Sequence, residues 1–299
     1  MRIALIGHYK SGNLGDEVQR EVMENFLASK GAEVTVCGID ENTDAARVMT
    51  SSEIGGLRSF DAIVFGGCLA VQNNPSPIWF DEWFRSAEIP MLFCCIGAER
   101  PKQSVIGVHE EVLRRAKLVI WRDRHSANSY LECGGSVVGA DLAYVFGDLP
   151  GEEQLCTNGQ MIIMGGPDAE WLEMIPVLYD AQVEIGRVDR LKFIVLASEP
   201  RECSDYVSVD RLMEICPDIE IVRPTSPYEA IEEIRGSSVV ISSRRHGVLF
   251  SRLAGVEPIV IGYHTRLCAV RDEINLDLAI SRERAVLALE MLWSELERI

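Results

Sequence analysis

The chain has 299 residues, of which 47% are hydrophobic and 25% are charged. This is the composition of a globular protein, and it excludes a disordered or collagen-like chain. The net charge of −17 opposes non-specific binding to nucleic acid, because that binding depends on Lys and Arg neutralising phosphates. The longest uncharged apolar run, residues 89–98, reaches about half of the roughly 20 residues that a membrane-spanning helix needs. We therefore expect a soluble protein.

Nine cysteines occur without a Cys-x-x-Cys pair. The first residues also lack the basic, apolar and small-residue pattern of a secretory signal peptide. Both observations favour reduced thiols in the cytoplasm. Because the cysteine spacing gives no support to a zinc site, we expect no metal.

Short β-type runs alternate with helical patterns along the whole chain. In the first half the predicted strands are Arg2–Ile6, Glu33–Cys37, Ala62–Phe65, Met91–Cys95, Leu118–Ile120 and Val137–Val138, and the predicted helices are Glu17–Ser29, Ile78–Arg85, Val108–Ala116 and Ser126–Cys133. In the second half the strands are Met161–Met164, Phe193–Leu196, Glu220–Val222, Val239–Ile241 and Ile259–Ile261, and the helices are Glu170–Glu184, Val209–Ile215, Tyr228–Arg235, Val248–Ala254 and Arg282–Arg298. This alternation predicts an α/β protein with parallel sheets covered by helices on both faces.

A turn-rich segment, residues 147–159, separates the two halves of the pattern. We therefore predict two Rossmann-like domains, 1–150 and 151–299, with a central cleft between them. The terminal helix, Ser281–Ile299, is expected to cross back to the first domain. Since ligands of open α/β sheets bind beyond the carboxyl ends of the strands, functional residues are expected in the loops that follow strands.

The first such loop, Gly7–Glu17, reads GHYKSGNLGDE. Its glycines allow a close approach to a ligand, and the following helix offers unpaired N–H groups to an anion. The glycine spacing matches neither the dinucleotide fingerprint nor the P-loop. An ordinary strand-to-helix turn with Asp16 as the N-cap explains the loop equally well.

The second loop contains Gly66 and Gly67 after the strand Ala62–Phe65. Paired glycines at this place indicate either close packing of a neighbouring element or ligand contact through backbone N–H groups.

The third loop, Trp121–Ser126, reads WRDRHS. Arg122 and Arg124 stand at the carboxyl end of a buried strand, where guanidinium groups could hold an anion. Asp123 fits the N-cap position of the next helix. A structural salt bridge is an equal alternative for the arginines.

The fourth loop, Ser242–Gly247, reads SSRRHG and is the most specific of the four. Two hydroxyls, two guanidiniums and an imidazole stand where the beginning of a helix already favours negative charge. An ordinary turn does not require this combination. His246 is therefore a candidate acid–base residue.

Four segments in this order, GNLGDE at 12–17, FGGC at 65–68, WRDRHS at 121–126 and SRRHG at 243–247, resemble the polysaccharide pyruvyl transferase family. The resemblance spans nearly the whole chain. It implies transfer of the enolpyruvyl unit of phosphoenolpyruvate to two sugar hydroxyls, with a cyclic ketal and phosphate as products. It also implies a fold similar to the two-domain glycosyltransferase architecture, with the acceptor on the N-terminal domain and the donor on the C-terminal domain.

The resemblance and the chemistry of phosphoenolpyruvate together give expected roles for individual residues. His246 is the expected general acid, and Asp16 or Glu17 is the expected base for the attacking hydroxyl. The residues expected to bind substrate are Gly12, Asn13, Gly15, Gly67, Arg122, Ser243, Arg244, Arg245 and Gly247. Arg245 and Cys68 depart from the family pattern, which usually has an aliphatic residue and a glycine at these positions. They would signal either altered specificity or a changed reaction.

No cofactor is expected, since phosphoenolpyruvate is itself the donor substrate. The expected partners are phosphoenolpyruvate and a sugar or glycan, and a lipid-linked acceptor would bring the enzyme to the inner face of the membrane. Two alternatives stay open: a glycosyltransferase of the same architecture that uses a nucleotide sugar, and a non-catalytic relative that binds a glycan or a phosphorylated metabolite.

Overall fold

The structure is a computed structural model, and it describes residues 1–9, 12–38, 56–69, 88–98, 110–130, 137–147, 157–166, 170–198, 205–262, 270 and 275–299. The predicted helix Ile78–Arg85 lies outside these residues, as does most of the turn-rich segment at 147–159. Of the predicted helix Val108–Ala116, residues 110–115 are described and helical.

The chain divides into two compact units. The first comprises Met1–Ser11, Asp16–Val145 and Ile280–Ile299, and the second comprises Gly12–Gly15 and Phe146–Ala279. The main boundary falls between Val145 and Phe146 rather than at residue 150, and the division differs from a simple split in two further places. Four residues near the N-terminus belong to the second unit, and the last twenty residues belong to the first.

The first unit contains a seven-stranded sheet. Its strands are β1 (Arg2–Gly7), β2 (Glu33–Gly38), β3 (Ala62–Phe65), β4 (Cys68–Leu69), β5 (Met91–Ala98), β6 (Leu118–Trp121) and β7 (Val137–Val138). The order is β2-β1-β3-β5-β6-β7, with β4 beside the end of β5, and all pairings are parallel. Ile3 lies opposite Val34 on one side and Ala62 on the other.

The second unit contains a five-stranded sheet. Its strands are β8 (Gln160–Met164), β9 (Arg190–Ile194), β10 (Glu220–Val222), β11 (Val239–Ser242) and β12 (Ile259–Val260). The order is β10-β9-β8-β11-β12, again with parallel pairings throughout.

Helices cover these sheets, as the alternation predicted. They are α1 (Leu14–Ser29), α2 (Arg124–Ser129), α3 (Ile175–Glu184), α4 (Tyr206–Ile215), α5 (Pro227–Ile234), α6 (Arg245–Leu253) and α7 (Leu278–Leu296), with 3₁₀ turns at Leu57–Ser59, Leu142–Val145 and Glu170–Met174. In the described part of the chain, no helix is long and apolar enough to span a membrane.

Each unit has its own apolar core. In the first unit, the rings of Phe65 and Phe93 stack with centroids 4.6 Å apart, and Trp121 stacks on Tyr130 at 5.3 Å. All eight residues of β5 are buried, because the sheet is covered on both faces. This explains why its strands read as continuous apolar runs in the sequence.

Three local predictions are corrected. Helix α1 begins at Leu14, and Asn13 Oδ1 accepts from the N–H of Gly15 at 3.0 Å, so Asn13 rather than Asp16 is the capping residue. The predicted helix at 170–184 starts as a 3₁₀ turn. Strand β9 begins at Arg190 rather than at the predicted Phe193. The prediction started too late because Lys192, which is buried and paired with Glu220 and Glu233, interrupts the apolar run.

Each sheet has one point where the strand order reverses, between β1 and β3 in the first and between β8 and β11 in the second. In open α/β sheets, ligands bind in the crevice at such a point, beyond the carboxyl ends of the strands. The first two predicted loops follow β1 and β3, and the fourth follows β11. Three of the four predicted loops therefore follow strands that flank a reversal point.

Candidate active site

The fourth loop begins where β11 ends. The hydroxyl of Ser242 donates to the carbonyl of Arg244 at 3.0 Å and accepts from the N–H of Arg244 at 3.1 Å. These bonds turn the chain into α6, whose first residue, Arg245, is buried. A Cβ added at Gly247 would overlap Ser242 Oγ and lie 3.2 Å from the side chain of Met164. Close packing thus accounts for this glycine, and its contact with substrate stays a prediction.

The guanidinium of Arg244 is held by a buried carboxylate. Nε of Arg244 donates to Oδ1 of Asp205 at 2.7 Å, and Nη2 donates to the same oxygen. Oδ2 of Asp205 accepts from the backbone N–H groups of Leu196 at 2.7 Å and Ala197 at 3.0 Å. Burial raises the pKa of Asp205 above its ordinary value, and this outweighs the opposite effects of Arg244 and the two N–H groups.

A glycine in the loop after β8 lies beside this arginine. A Cβ added at Gly166, which follows β8, would lie 3.2 Å from Nε of Arg244. The N–H of Gly166 donates to Ser243 Oγ at 3.2 Å, and its carbonyl accepts from the hydroxyl of Ser208 at 2.7 Å. The loops after β8 and β11 therefore meet at the reversal point of the second sheet, with Arg244 between them.

The imidazole of His246 packs on the backbone of the first loop. A Cβ added at Gly15 would overlap the ring, with Nδ1 the nearest atom. On its own helix, the ring of His246 lies 6.1 Å from that of Phe250. Since Gly15 belongs to the second unit, the structure joins the first and fourth predicted loops within one unit.

The backbone of residues 196–198 holds the first loop in this place. The N–H of Leu14 donates to the carbonyl of Leu196 at 2.9 Å, and the N–H of Ser198 donates to the carbonyl of Gly12 at 3.1 Å. Asn13 forms an isolated antiparallel bridge with Ala197. The segment Gly12–Gly15 thus pairs with residues 196–198, which follow β9.

Asp16 and Gly67 come together in the first unit. Asp16 is buried in the first turn of α1, and a Cβ added at Gly67, where φ is +80°, would lie 3.3 Å from Asp16 Oδ1. Beside them the side chain of Tyr9 is buried, and burial together with the charge of Asp16 raises the pKa of its hydroxyl well above the ordinary value. The paired glycines of the second loop therefore give space to the side chains of Tyr9 and Asp16.

Glu17 pairs with an arginine on its own helix. Nε of Arg20 lies 2.7 Å from Oε2 of Glu17, and Nη1 of Arg20 lies 2.5 Å from Glu24. The two adjacent carboxylates therefore lie in different surroundings, and the role of either as a base stays a prediction.

Arg122 lies between two carboxylates. Its Nε is 3.6 Å from Asp123 Oδ2, its Nη1 is 3.5 Å from Asp141 Oδ2, and only 4% of the residue is exposed. A Cβ at Gly97 would overlap the guanidinium. Asp123 also caps α2 by accepting from the N–H of Ser126 at 2.7 Å, as predicted. These contacts are those of the structural alternative, and anion binding by Arg122 stays a prediction.

Sequence reasoning missed three parts of this arrangement. Asp205 and Asp141 gave no signal, because each is an isolated acidic residue distant in sequence from the arginine that it pairs with. Gly165 and Gly166 could have been found, since they follow a predicted strand just as Gly66 and Gly67 do. Among the described residues, no group of three or more His, Cys, Asp or Glu side chains could hold a metal ion.

The contact between Gly15 and His246 gives a direct prediction. Alanine is favoured over glycine by up to about 1 kcal/mol within a helix, but Gly15→Ala must displace the imidazole of His246. We expect the ring ¹H and ¹³C resonances of His246 to move in this variant. Gly56→Ala is the matched control, because Gly56 has φ −63° and nothing within 4 Å of an added Cβ. Unmoved His246 resonances in Gly15→Ala would contradict the contact.

Comparison with solved structures identifies the fold. The chain is 10% identical to UDP-GlcNAc 2-epimerase from Methanocaldococcus jannaschii in complex with UDP-GlcNAc and UDP, with a TM-score of 0.55 over 97% of this chain and 100% of that one. It is 11% identical to UDP-N-acetylglucosamine 2-epimerase from Rickettsia bellii, with a TM-score of 0.56 over 99% of this chain and 96% of that one. It is 10% identical to an alpha-glucosyltransferase in complex with UDP and a 13-mer DNA, with a TM-score of 0.52 over 99% of each chain. At these identities the likeness concerns the fold alone, and it confirms the predicted relation to the two-domain glycosyltransferase architecture.

Family comparison tests the resemblance that the four segments suggested. No curated protein matches the chain. The family model for polysaccharide pyruvyl transferase matches residues 13–265, a range that begins at Asn13 and includes all of the second, third and fourth loops. The chain therefore belongs to the polysaccharide pyruvyl transferase family.

Proposed function

We propose that this protein transfers the pyruvyl unit of phosphoenolpyruvate to two hydroxyls of a sugar, in a polysaccharide or its precursor. The observation that carries the proposal is the loop Ser243–Gly247 at the reversal point of the second sheet. There a carboxylate orients the guanidinium of Arg244, and the imidazole of His246 is packed on Gly15. The proposed reaction uses no cofactor and takes place in the cytoplasm, at the inner face of the membrane where the acceptor is lipid-linked.

The charge of the donor explains why arginines stand at this loop. Phosphoenolpyruvate carries a carboxylate and a phosphate, and a net protein charge of −17 repels such an anion unless a local cationic group opposes it. Arg244 and Arg245 supply positive charge, and the N–H groups at the start of α6 supply hydrogen-bond donors. We assign the donor to this loop.

The chemistry begins with protonation of the methylene carbon of phosphoenolpyruvate. The carbon that bears the phosphate then becomes oxocarbenium-like, and a sugar hydroxyl adds to it and loses its proton. A second hydroxyl of the same sugar then displaces phosphate, which takes up the proton of that hydroxyl and leaves as the ketal closes. We assign the first proton to Nε2 of His246, the ring nitrogen opposite the edge that packs on Gly15.

Asp16 is the better candidate for the base. The carboxylate of Glu17 is bonded to Arg20 on its own helix, and that of Asp16 lies against Gly67, in a loop that follows a strand beside the reversal point of the first sheet. Asp16 also follows Gly15 directly in α1. We therefore assign Asp16 to accept the proton of the attacking hydroxyl.

Binding of the donor is the first test. At 100 times its dissociation constant, phosphoenolpyruvate should stabilise the protein by about 2.7 kcal/mol, measured as a shift in thermal unfolding. The shift should vanish in Arg244→Ala and persist in Arg211→Ala, whose guanidinium pairs with the exposed Glu173 in the same unit. Stabilisation by UDP and not by phosphoenolpyruvate would instead support a glycosyltransferase that uses a nucleotide sugar.

The role of His246 separates catalysis from binding. His246→Ala should lower turnover by about 10²–10⁴-fold, because a positioned proton donor is lost, while the thermal shift with phosphoenolpyruvate remains. Turnover is measured as phosphate release from phosphoenolpyruvate with a panel of methyl glycosides that carry neighbouring free hydroxyls. A rate near that of the wild type would remove His246 from the mechanism and indicate a different acid, whereas a wild type that binds phosphoenolpyruvate without turnover would support the non-catalytic alternative.

The two carboxylates of α1 should respond differently in the same assay. Asp16→Asn removes the proposed base and should lower turnover by about 10²-fold or more. Glu17→Gln breaks an ion pair with Arg20 and should lower it by less than about tenfold. A larger loss in Glu17→Gln than in Asp16→Asn would exchange the two assignments.

A further inference from the structure

Asp205 is a buried carboxylate that the proposed reaction does not use. It stands directly before α4 and has no exposed surface. A buried anion costs free energy unless it is paired and hydrogen-bonded. This one also lies beside a loop proposed to bind an anionic substrate, where its charge opposes that of the ligand. Its position therefore requires a compensating role.

The two oxygens of this carboxylate have different partners. Oδ1 accepts from one edge of the Arg244 guanidinium, through Nε and Nη2. Two donors on one edge fix the plane of the group as well as its position. The backbone of Gly166 lies against the guanidinium, so Arg244 is held by a charge on its edge and by a glycine at close contact.

Oδ2 organises the backbone instead. It accepts from the N–H groups of Leu196 and Ala197. The carbonyl of Leu196 accepts from Leu14, and the backbone of Ala197 bridges to Asn13. The segment that Asp205 orders is therefore the one that holds Gly12–Gly15, and Gly15 is the residue on which the His246 ring packs.

We propose that Asp205 is a positioning residue for donor binding. Its Oδ1 orients the guanidinium of Arg244, and its Oδ2 orders the backbone that supports the Gly12–Gly15 segment. The identity of the bound donor rests on the proposed function, but the positioning of Arg244 does not. Asp205 touches no reacting atom and acts through the groups that it orients.

Asp205→Asn separates the two halves of this role. Its amide oxygen can still accept from Leu196 and Ala197, while its amide nitrogen is a donor and cannot accept from Arg244. The variant should therefore keep the segment in place and release the guanidinium. Glu173→Gln is the matched control, because it removes the exposed carboxylate that pairs with Arg211.

Two measurements test the proposal. Asp205→Asn should weaken phosphoenolpyruvate binding by about 10- to 100-fold in calorimetry, and it should raise KM for this substrate more than it lowers kcat. In ¹⁵N-labelled protein the Nε–Hε resonance of Arg244, assigned with Arg244→Lys, should shift and exchange faster with solvent. Glu173→Gln should change neither. Should Asp205→Asn fail to fold, Arg244→Lys provides the second variant, since it keeps the charge and loses the two-bond edge, and it should weaken binding similarly.

The outcomes distinguish the two proposals. If the wild type does not bind phosphoenolpyruvate, the proposed function fails, and the Arg244 resonance alone decides the role of Asp205. An unchanged resonance in Asp205→Asn overturns that role whatever the ligand does. If the wild type binds, unchanged affinity in Asp205→Asn overturns it as well. If Asp205→Asn does not fold, unchanged affinity in Arg244→Lys has the same meaning.

Discussion

Parallel pairing is the constraint on which the described structure depends. Every pairing between named strands in the described part of both sheets is parallel. Within each sheet, the loops that follow strands therefore lie along one edge. The reversal of strand order then brings two particular loops together, those after β8 and β11 in the second unit. The side chain of Arg244, in the second of these loops, reaches the first, where Gly166 lets its guanidinium pack on backbone.

Most of the fold could be predicted, because strands buried on both faces leave long apolar runs. The run at Ala62–Phe65 is an example, since all four residues are buried and the strand has the predicted bounds. The apolar pattern failed to predict a strand's start where the strand contains a buried charged side chain that is neutralised by an ion pair. Lys192 sits within β9 because Glu220 and Glu233 neutralise it, and no periodicity rule allows for that. Strand β4, with two residues, is too short to show any period.

The basic residues of the candidate site could be predicted from the sequence, but the acidic residues that pair with them could not. A strand end with the sequence SSRRHG is unusual in itself, so Arg244 and His246 could be selected without a structure. Asp205 could not be selected in this way, because its contacts are with an arginine distant in sequence and with the backbone N–H groups of Leu196 and Ala197. The surroundings of Asp16 also required coordinates, because its contact with Gly67 joins residues that are distant in sequence.

The division of the chain has a consequence for how its parts can be studied. Gly12–Gly15 belong to the second unit and Ile280–Ile299 to the first, so neither unit is one continuous stretch of sequence. A fragment spanning 146–279 would contain Arg244, Asp205 and His246 but lack the glycine on which the imidazole packs. During folding, the environment of His246 is complete only after Gly15, which is distant in sequence, has met it, and such non-local closure is a slow step. Separate expression of the halves would thus produce an incomplete site, whereas a circular permutant that retains every segment would not.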